Sequence, residues 1–288
     1  MMLMQRLKKF LKVCKNMPVK KSKEDILYTE KNVSKNTPHL IQIGCGDVHI
    51  PISVLRKDGS TNFSQAIVNV MVDLNPSVNG SNISKILKIL NKDDHYTFET
   101  LIDSLLRNID EFKIYDKQIK INLDFMYFLR KKALVSKKES WVGFKTTFTV
   151  QKIEENINYF LKVYVPYASV CPTSKEISDY GAHNQRSLAE IEVQLTNLDD
   201  KKEFWVEDIV YLIDHCVSCP VFNVIELEDE AFQTEMMYEN PMFVEEVATK
   251  IAKSLDKHKD KHIKSYNFVL NHYESINDYT VKAILQNN

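Results

Sequence analysis

One short segment of the sequence concentrates side chains that can do chemistry. Residues 171–186 read CPTSKEISDYGAHNQR. Cys171 can serve as a thiolate ligand or a nucleophile, and His183 can serve as a metal ligand or a general base. Lys175 and Arg186 can hold an anion. The proline, the glycine and the small residues between these groups favour an ordered loop over a regular element.

The strand predicted after this loop determines where His183 points, because alternate residues of an extended chain share a face. The apolar face of this strand consists of Ala189, Ile191, Val193 and Leu195. His183 has the parity of that face, whereas Arg186 has the opposite parity. If the strand begins at His183, the imidazole lies at the end of the covered face, where Cys171 on the preceding loop can meet it. A core thiol beside a hydrogen-bonded imidazole would satisfy the same pattern, so the residues alone leave that alternative open.

Hydrophobic periodicity predicts the elements that must position this segment. Alternation indicates strands near 40–56, 64–74, 119–133, 141–151, 155–169, 184–196 and 263–274, and helical spacing indicates helices near 81–90, 98–109, 203–217 and 240–255. Asn240 is the predicted N-cap of the last helix, with Pro241 at its first position. Gly44 and Gly46 interrupt the first strand and indicate a bulge or turn. The order ββααββ, met twice, predicts an α+β fold with antiparallel sheets and helices on one face.

Composition restricts the partners and the compartment. Apolar residues make up 44% of the 288 residues, charged residues 27%, and the formal net charge is -1. We therefore expect no general affinity for nucleic acid, and any anion site must be local. No apolar run approaches the roughly 18 residues of a membrane span, so we expect no membrane partner. The five cysteines form an odd number without a secretory segment, which favours a reducing cytoplasm.

The domain organisation follows from changes in composition along the chain. Residues 1–37 are basic at their start and end at Thr37-Pro38, which predicts a flexible N-terminal tail. Residues 38–288 are predicted to form one bimodular domain, with halves of about 38–152 and 153–288. We find no obvious sequence identity between the halves, so the predicted repeat is one of element order.

The segment 171–186 resembles the signature of the type IB GTP cyclohydrolases, which usually reads CPCSKxISxYGAHNQR. Thr173 replaces the second cysteine, and Cys171 keeps the first. Further stretches resemble the same family: IGCGDVHIPISV (43–54), NGSNISKILKIL (79–90) and ELEDEAFQTEMMYENPMFVEEVA (226–248). The resemblance extends over about 40–283, which is most of the chain.

The resemblance implies a fold, a reaction and a metal centre. The fold is the bimodular tunnelling fold (T-fold), whose subunits associate into a barrel, and a homotetramer is expected. The reaction opens the imidazole ring of GTP at C8 and gives formate and 7,8-dihydroneopterin triphosphate, the first step of folate and pterin synthesis. Cys171 and His183 are the implied catalytic residues. Together with Glu230 they are the implied ligands of a divalent metal, and this donor set suits Zn²⁺, Mn²⁺ or Fe²⁺.

The resemblance also implies a substrate site. Glu245 corresponds to the carboxylate that accepts hydrogen bonds from the guanine N1–H and amino group. Helical geometry is compatible, because Glu245 falls at the edge of the apolar stripe of its helix. The other implied substrate-binding residues are Lys175, Arg186, Gln185 and Glu274. Lys85 is a further candidate for the triphosphate.

Three departures from the family pattern keep other functions open. Asn82, Asn277 and Tyr279 stand where the family has histidines, and an asparagine cannot shuttle a proton at neutral pH. One alternative is therefore a catalytically impaired homologue that binds GTP or a pterin. Another is a related T-fold enzyme that acts on a purine-like base, such as the nitrile reductase of queuosine synthesis, which uses a thiolate and NADPH without a metal. Metal content and formate release separate these functions.

Overall fold

The structure, a computed structural model, describes residues 42–73, 83–93, 96–111, 118–196 and 204–287. The predicted tail at 1–37 and the departure at Asn82 lie outside these ranges. The described residues form ten strands and six helices. The α+β class predicted from the sequence is confirmed.

Strands and helices alternate in two groups along the chain. The strands are β1 (Ile43–Leu55), β2 (Thr61–Val72), β3 (Tyr96–Thr97), β4 (Gln118–Lys132), β5 (Glu139–Ile153), β6 (Asn156–Val170), β7 (Asn184–Leu195), β8 (Cys219–Pro220), β9 (Ile263–Tyr273) and β10 (Thr280–Asn287). The helices are α1 (Ile83–Leu90), α2 (Phe98–Glu111), α3 (Pro172–Ile177), α4 (Val206–Asp214), α5 (Leu227–Glu239) and α6 (Val244–Asp256). The predicted boundary between the halves falls at the end of β5.

The strands pair into one mostly antiparallel sheet with the order β10-β9-β7-β6-β5-β4-β2-β1-β3, and β8 pairs with β6 at the side. The eight long strands follow one another in chain order, so each turns back beside its predecessor. The short β3 pairs with β1 in parallel. This arrangement places β6, β7 and β9 side by side, and their ends carry the candidate residues.

The core lies on one face of the sheet. Alternate residues of the long strands are buried there, as in β7, where Ala189, Ile191 and Val193 are fully covered. They share one hydrophobic cluster with buried side chains of α1, α2, α4 and α6. The residues of opposite parity remain half-buried or exposed. The helices therefore cover one face, and no helix of the described residues is long and apolar enough to cross a membrane.

The glycines of β1 form the bulge that the sequence predicts. The β1–β2 register shifts between Cys45 and Val48. A Cβ atom at Gly44 would lie 1.8 Å from the backbone oxygen of Val70, so no side chain fits at this position. Asp47 adopts a positive φ of 55° in the bulge.

Three features of the second half depart from the sequence predictions. Asn240 is not the N-cap of α6; it ends α5, and its side-chain amide donates to the backbone oxygens of Val217 and Ser218 at 3.2 and 3.3 Å. Helix α6 begins at Val244, where the Phe243 N–H donates to the Glu246 carboxylate at 2.8 Å. Helix α5 itself is absent from the prediction. The segment after Cys171, predicted as a loop without regular structure, contains the short helix α3.

A buried carboxylate joins the two halves. Glu207, in the first turn of α4, is 5% exposed. Its Oε1 accepts hydrogen bonds from the Tyr127 hydroxyl of β4 at 2.8 Å and from the Lys57 backbone N–H at 3.1 Å. Lys57 also forms an ion pair with Asp208. Helix α4 of the second half is therefore fastened to β4 and to the β1–β2 turn of the first half.

We predict that Tyr127→Phe lowers the free energy of unfolding by about 1–2 kcal/mol, because a buried carboxylate loses a donor. Urea unfolding at pH 7.5 measures the change. Tyr211→Phe is the matched control, since Tyr211 is 49% exposed. Equal losses in the two variants would contradict a stabilising role for the Tyr127–Glu207 bond.

Candidate metal and nucleotide site

The β6–β7 ladder brings Cys171 and His183 face to face. The last pair of the ladder is Val170 with Asn184, and the Cys171 N–H continues the register by donating to the His183 backbone oxygen at 3.2 Å. Directly opposite residues of antiparallel strands point to the same face of the sheet. The backbone pairing therefore sets Cys171 opposite His183, and the meeting of their side chains stays a prediction.

The loop between them is organised by Ser174. Its hydroxyl donates to the Cys171 backbone oxygen at 3.1 Å and accepts the His183 N–H at 3.2 Å. The Ser174 N–H points to the Cys171 sulfur at 3.5 Å, so the sulfur occupies the N-cap position of α3. One serine thus ties together both ends of the loop.

Two side chains hold one nitrogen of the His183 ring. Nδ1 lies 3.1 Å from the Gln185 Oε1 and 3.8 Å from the Glu274 Oε2, and the Gln185 amide donates to Glu274 Oε1 at 3.4 Å. Donation from Nδ1–H to Gln185 leaves the lone pair on Nε2. Nε2 makes no hydrogen bond to any described residue. This is the arrangement in which a neighbouring polar group orients a ligating histidine.

The candidate phosphate-binding residues do not converge on this pair. The Lys175 ammonium donates to the Tyr238 backbone oxygen at 2.5 Å and lies 4.3 Å from the centre of the Tyr238 ring. Arg186 is exposed on the opposite face of β7, paired with Ala168. The opposite parity of Arg186 and His183, expected from the sequence, is confirmed. Lys85 lies on α1 in the first half.

Glu230 stands apart from Cys171 and His183. It is exposed in the first turn of α5. Throughout the described parts of the chain, no three His, Cys, Asp or Glu side chains are grouped closely enough to hold a metal ion. The backbone pairing sets Cys171 opposite His183, and the metal-ligand role of Cys171, His183 and Glu230 stays a prediction.

The residue before Glu230 fixes the start of α5. Asp229 is fully buried and accepts hydrogen bonds from the Val135 N–H at 2.8 Å, the Ser136 N–H at 3.0 Å and the Glu226 N–H at 3.0 Å, as well as from the Ser136 hydroxyl. Burial raises the pKa of this carboxyl, but the hydrogen bonds outweigh burial and hold the pKa well below its usual range. Helix α5 is therefore pinned to the β4–β5 turn.

Glu245 lies in the first turn of α6, exposed at the end of the helix. Its neighbour Glu246 is occupied as the cap of that helix, accepting the Phe243 N–H. The Glu245 carboxylate accepts no hydrogen bond from the described residues. It is thus the free one of two adjacent carboxylates, as its predicted role in binding a base requires.

A chain of buried polar residues runs beneath this site, and sequence reasoning missed it. His272 Nε2 lies 3.0 Å from the Tyr167 hydroxyl, and the hydroxyls of Ser187 and Ser169 lie 2.8 Å apart. Ser187 lies directly opposite Tyr167 in the β6–β7 ladder. All four side chains are at most 3% exposed. The sequence does contain a signal for this chain: polar residues occupy strand positions that have the parity of the covered face. Buried polar groups need hydrogen-bond partners, so such positions indicate a buried network.

Burial sets the charge of His272. It lowers the pKa of this imidazole from 6.5 to about 4, against the opposing effect of the Glu245 carboxylate. The ring is therefore neutral at pH 7 and carries a single N–H.

Comparison with known proteins identifies the family. A model described as type I GTP cyclohydrolase folE2 matches residues 25–283. The chain is 35% identical over 253 residues to the GTP cyclohydrolase FolE2 of Thermosipho africanus, covering 86% of this chain and 93% of that protein. It is 31% identical to the FolE2 of Nitrosococcus oceani, over 85% and 89%. The chain belongs to the type I GTP cyclohydrolase FolE2 family.

A solved structure shares the fold of this FolE2 family member. Uricase from Arthrobacter globiformis aligns with a TM-score of 0.52 at 9% identity, covering 85% of this chain and 93% of the uricase chain. At so low an identity the likeness concerns the fold alone.

The departures near the end of this FolE2 chain lie on the β9–β10 turn. Asn277 donates its backbone N–H to the Glu274 backbone oxygen at 3.3 Å, and both Asn277 and Tyr279 are exposed. The turn follows directly after Glu274, whose carboxylate lies 3.8 Å from His183 Nδ1.

We predict that His272 makes the fold lose stability in acid. The His272 imidazole binds a proton near pH 6.5 in the unfolded chain but only near pH 4 in the folded chain. The stability that is linked to neutral His272 is therefore complete above pH 6.5 and is lost as the pH falls towards 4. The pKa change corresponds to about 3 kcal/mol. Urea unfolding between pH 7.5 and 4.5 measures it, with His272→Asn as the control. The same pH dependence in both proteins would contradict a neutral buried His272.

Proposed function

We propose that this chain is a metal-dependent GTP cyclohydrolase that opens the imidazole ring at C8, releases formate and forms 7,8-dihydroneopterin triphosphate. The observation that carries the proposal is the in-register pair of Cys171 and His183, inside a segment that resembles the signature of the type IB enzymes. Membership of the FolE2 family and the names of the curated relatives support the same activity. Folate synthesis is the corresponding pathway.

The donor set around the pair fits a divalent metal. Cys171 is half-buried with its sulfur at the helix start, and His183 has Nδ1 held and Nε2 without a hydrogen bond to the described residues. Cys171, His183 and Glu230 would hold the ion, and thiolate, imidazole and carboxylate together suit Zn²⁺, Mn²⁺ or Fe²⁺. A bound divalent metal lowers the pKa of a water molecule and polarises the ring that this water attacks.

The residues of the chain would bind and orient GTP. The free Glu245 carboxylate would accept hydrogen bonds from the guanine N1–H and amino group, which distinguishes guanine from adenine. Lys175 and Arg186 would bind the triphosphate, for which Lys175 must exchange the Tyr238 oxygen for a phosphate oxygen. Gln185 and Glu274 would hold His183 at the edge of the substrate site.

The predicted site residues are dispersed over one subunit, which supports a site that is formed by more than one subunit. Arg186 on β7 has the opposite parity to His183, which directly precedes that strand, and Glu230 is exposed on α5, so one subunit does not present all three to one ligand. We propose a homotetramer of T-fold subunits in the cytoplasm, in which neighbouring copies complete each site. The element order supports the tandem ββααββ plan, with α3 and one further helix added in the second half.

A second candidate function rests on the β9–β10 turn. Asn277 and Tyr279 replace two histidines that the family resemblance leads us to expect. Neither side chain exchanges a proton readily at neutral pH, which removes a candidate general acid or base. The alternative is a homologue that binds GTP or a pterin with little or no turnover.

Formate release tests the first function against the second. Purified protein is reconstituted with Zn²⁺, Mn²⁺ or Fe²⁺ and incubated with GTP, and formate is measured together with the fluorescent pterin that forms on oxidation. We expect both products from the wild type and a loss of at least about 10³-fold in Cys171→Ala, because that variant lacks a metal ligand. Cys45→Ala, which removes a thiol from β1, is the control and keeps its activity.

The absence of formate with every metal, despite bound metal and measurable GTP binding, would reject the catalytic proposal in favour of the binding protein. Asn277→His then tests the cause. If the missing histidine alone limits turnover, this variant gains formate release.

We predict that Glu274→Gln weakens metal binding by about 10–100-fold, because the charge beside His183 Nδ1 is lost while the shape is kept. Competition with a chromophoric chelator measures the affinity without requiring turnover. Asp278→Asn on the same turn is the matched control, since Asp278 is exposed. A variant that binds metal normally but binds GTP more weakly would instead support the substrate-binding role predicted for Glu274 from the sequence.

A further inference from the structure

The loop between Cys171 and His183 is held across its base by one side chain. We propose that Ser174 is a positioning residue for the metal centre: its hydroxyl fixes the backbones of Cys171 and His183 in the arrangement from which the thiol and the imidazole bind a divalent cation. This inference rests on the proposed function, because it assigns a role toward the metal that Cys171 and His183 are proposed to bind.

Each hydrogen bond of the Ser174 hydroxyl has only one possible direction. The Cys171 backbone oxygen can only accept, so Ser174 Oγ donates to it at 3.1 Å. The His183 backbone N–H can only donate, so Ser174 Oγ accepts it at 3.2 Å. The single hydroxyl proton is therefore committed to Cys171, and a lone pair faces His183. Among the residues that the structure describes, no other side chain bonds to both Cys171 and His183.

The β6–β7 ladder alone is a weak link between the two candidate ligands. Only one backbone bond joins them, the Cys171 N–H to the His183 oxygen at 3.2 Å, and it lies at the end of the ladder. Hydrogen bonds at strand ends open more readily than those in the middle of a sheet. The Ser174 hydroxyl adds a second link, so that His183 is bonded through both its backbone N–H and its backbone oxygen.

Apolar packing does not hold this loop. Helix α3 has no buried residue, Ile177 is 77% exposed, and the side chain of Tyr180 is fully exposed. Gly181 has a φ of 120°, which a glycine adopts readily, and a Cβ atom there would have open space around it. The connection across the loop from Cys171 to His183 therefore depends on the hydrogen bonds of Ser174.

A fixed backbone matters because both ligands must reach the same cation. The Ser174 N–H points to the Cys171 sulfur at 3.5 Å, which keeps the sulfur at the start of α3. Gln185 holds the His183 ring separately, with its Oε1 3.1 Å from Nδ1. Ser174 thus fixes the backbones of both ligands, whereas Gln185 fixes the ring of one. Ordering a loose loop on binding costs free energy, and a loop that is ordered beforehand avoids this cost.

Three substitutions in the same loop test this role. Ser174→Ala removes the hydroxyl, and Ser174→Thr keeps it. Ser178→Ala is the matched control, because the Ser178 hydroxyl is exposed and accepts the Tyr180 N–H at 3.3 Å without touching either ligand. The full-length chain is titrated with Co²⁺ at pH 7.5, and the thiolate-to-cobalt charge-transfer absorption reports ligation by sulfur. Cys171→Ala identifies the band, and Tm is determined in parallel.

We expect Ser174→Ala to weaken Co²⁺ binding by about 10–100-fold, which is the usual effect of losing a group that orients metal ligands. We also expect a weaker charge-transfer band at saturating Co²⁺, because the thiol and the imidazole no longer share a fixed geometry. Ser174→Thr should restore both the affinity and the band, and Ser178→Ala should match the wild type.

A Ser174→Ala variant with wild-type Co²⁺ affinity and absorption would overturn the positioning role, even if its Tm fell, because Ser174 would then stabilise the loop alone. Equal losses in Ser174→Ala and Ser178→Ala would overturn it as well.

The same titration separates this inference from the proposed function. A wild-type chain that binds no divalent cation would reject the proposed metal centre and this inference with it. A wild-type chain that shows the Cys171 band but releases no formate with any metal would reject the proposed reaction and support the positioning role of Ser174.

Discussion

The antiparallel pairing of β6 with β7 is the constraint on which the candidate site depends. Its register sets Cys171 opposite His183, Ser169 opposite Gln185, and Tyr167 opposite Ser187. The pairing of β7 with β9 then sets Ser187 opposite His272. A shift of one residue in either ladder would turn these side chains to the other face of the sheet. The hydrophobic face of β7 prevents that shift, so core packing and site geometry are maintained by the same contacts.

The covered face also supplies the environment in which these polar groups act. Beneath the helices, hydrogen bonds are electrostatically stronger than in water, and an unpaired group is costly. The buried hydroxyls, the neutral His272 and the amide of Gln185 therefore form defined directional networks. On the opposite face, Arg186 remains exposed and can rearrange with a ligand. One strand thus carries both rigid and adaptable parts of the candidate site.

The sequence predicts whatever depends on local periodicity. The α+β class, the long strands, the β1 bulge and the opposite parity of His183 and Arg186 all follow from alternation and glycine positions. Helix α5 does not, because its apolar residues form no single stripe and Asp229 is its one buried residue. The prediction of Asn240 as the N-cap of α6 is wrong because asparagine is suited to both ends of a helix, and here it ends α5. The hydrogen-bond partners of His272 join residues more than a hundred positions apart, beyond any local pattern.

The hydrogen bonds between Asp229 and the β4–β5 turn connect the first half to a helix that carries a candidate ligand. Cys171, His183, Glu230 and Glu245 all belong to the second half, yet the turn that holds the start of α5 belongs to the first. The second half thus carries these candidate site residues, and the first half holds the start of the helix that bears Glu230. Substitutions in the β4–β5 turn, which has no candidate reactive side chain, would shift the helix that bears Glu230. The Asp229 hydrogen bonds therefore couple the sequence of this turn to the position of helix α5.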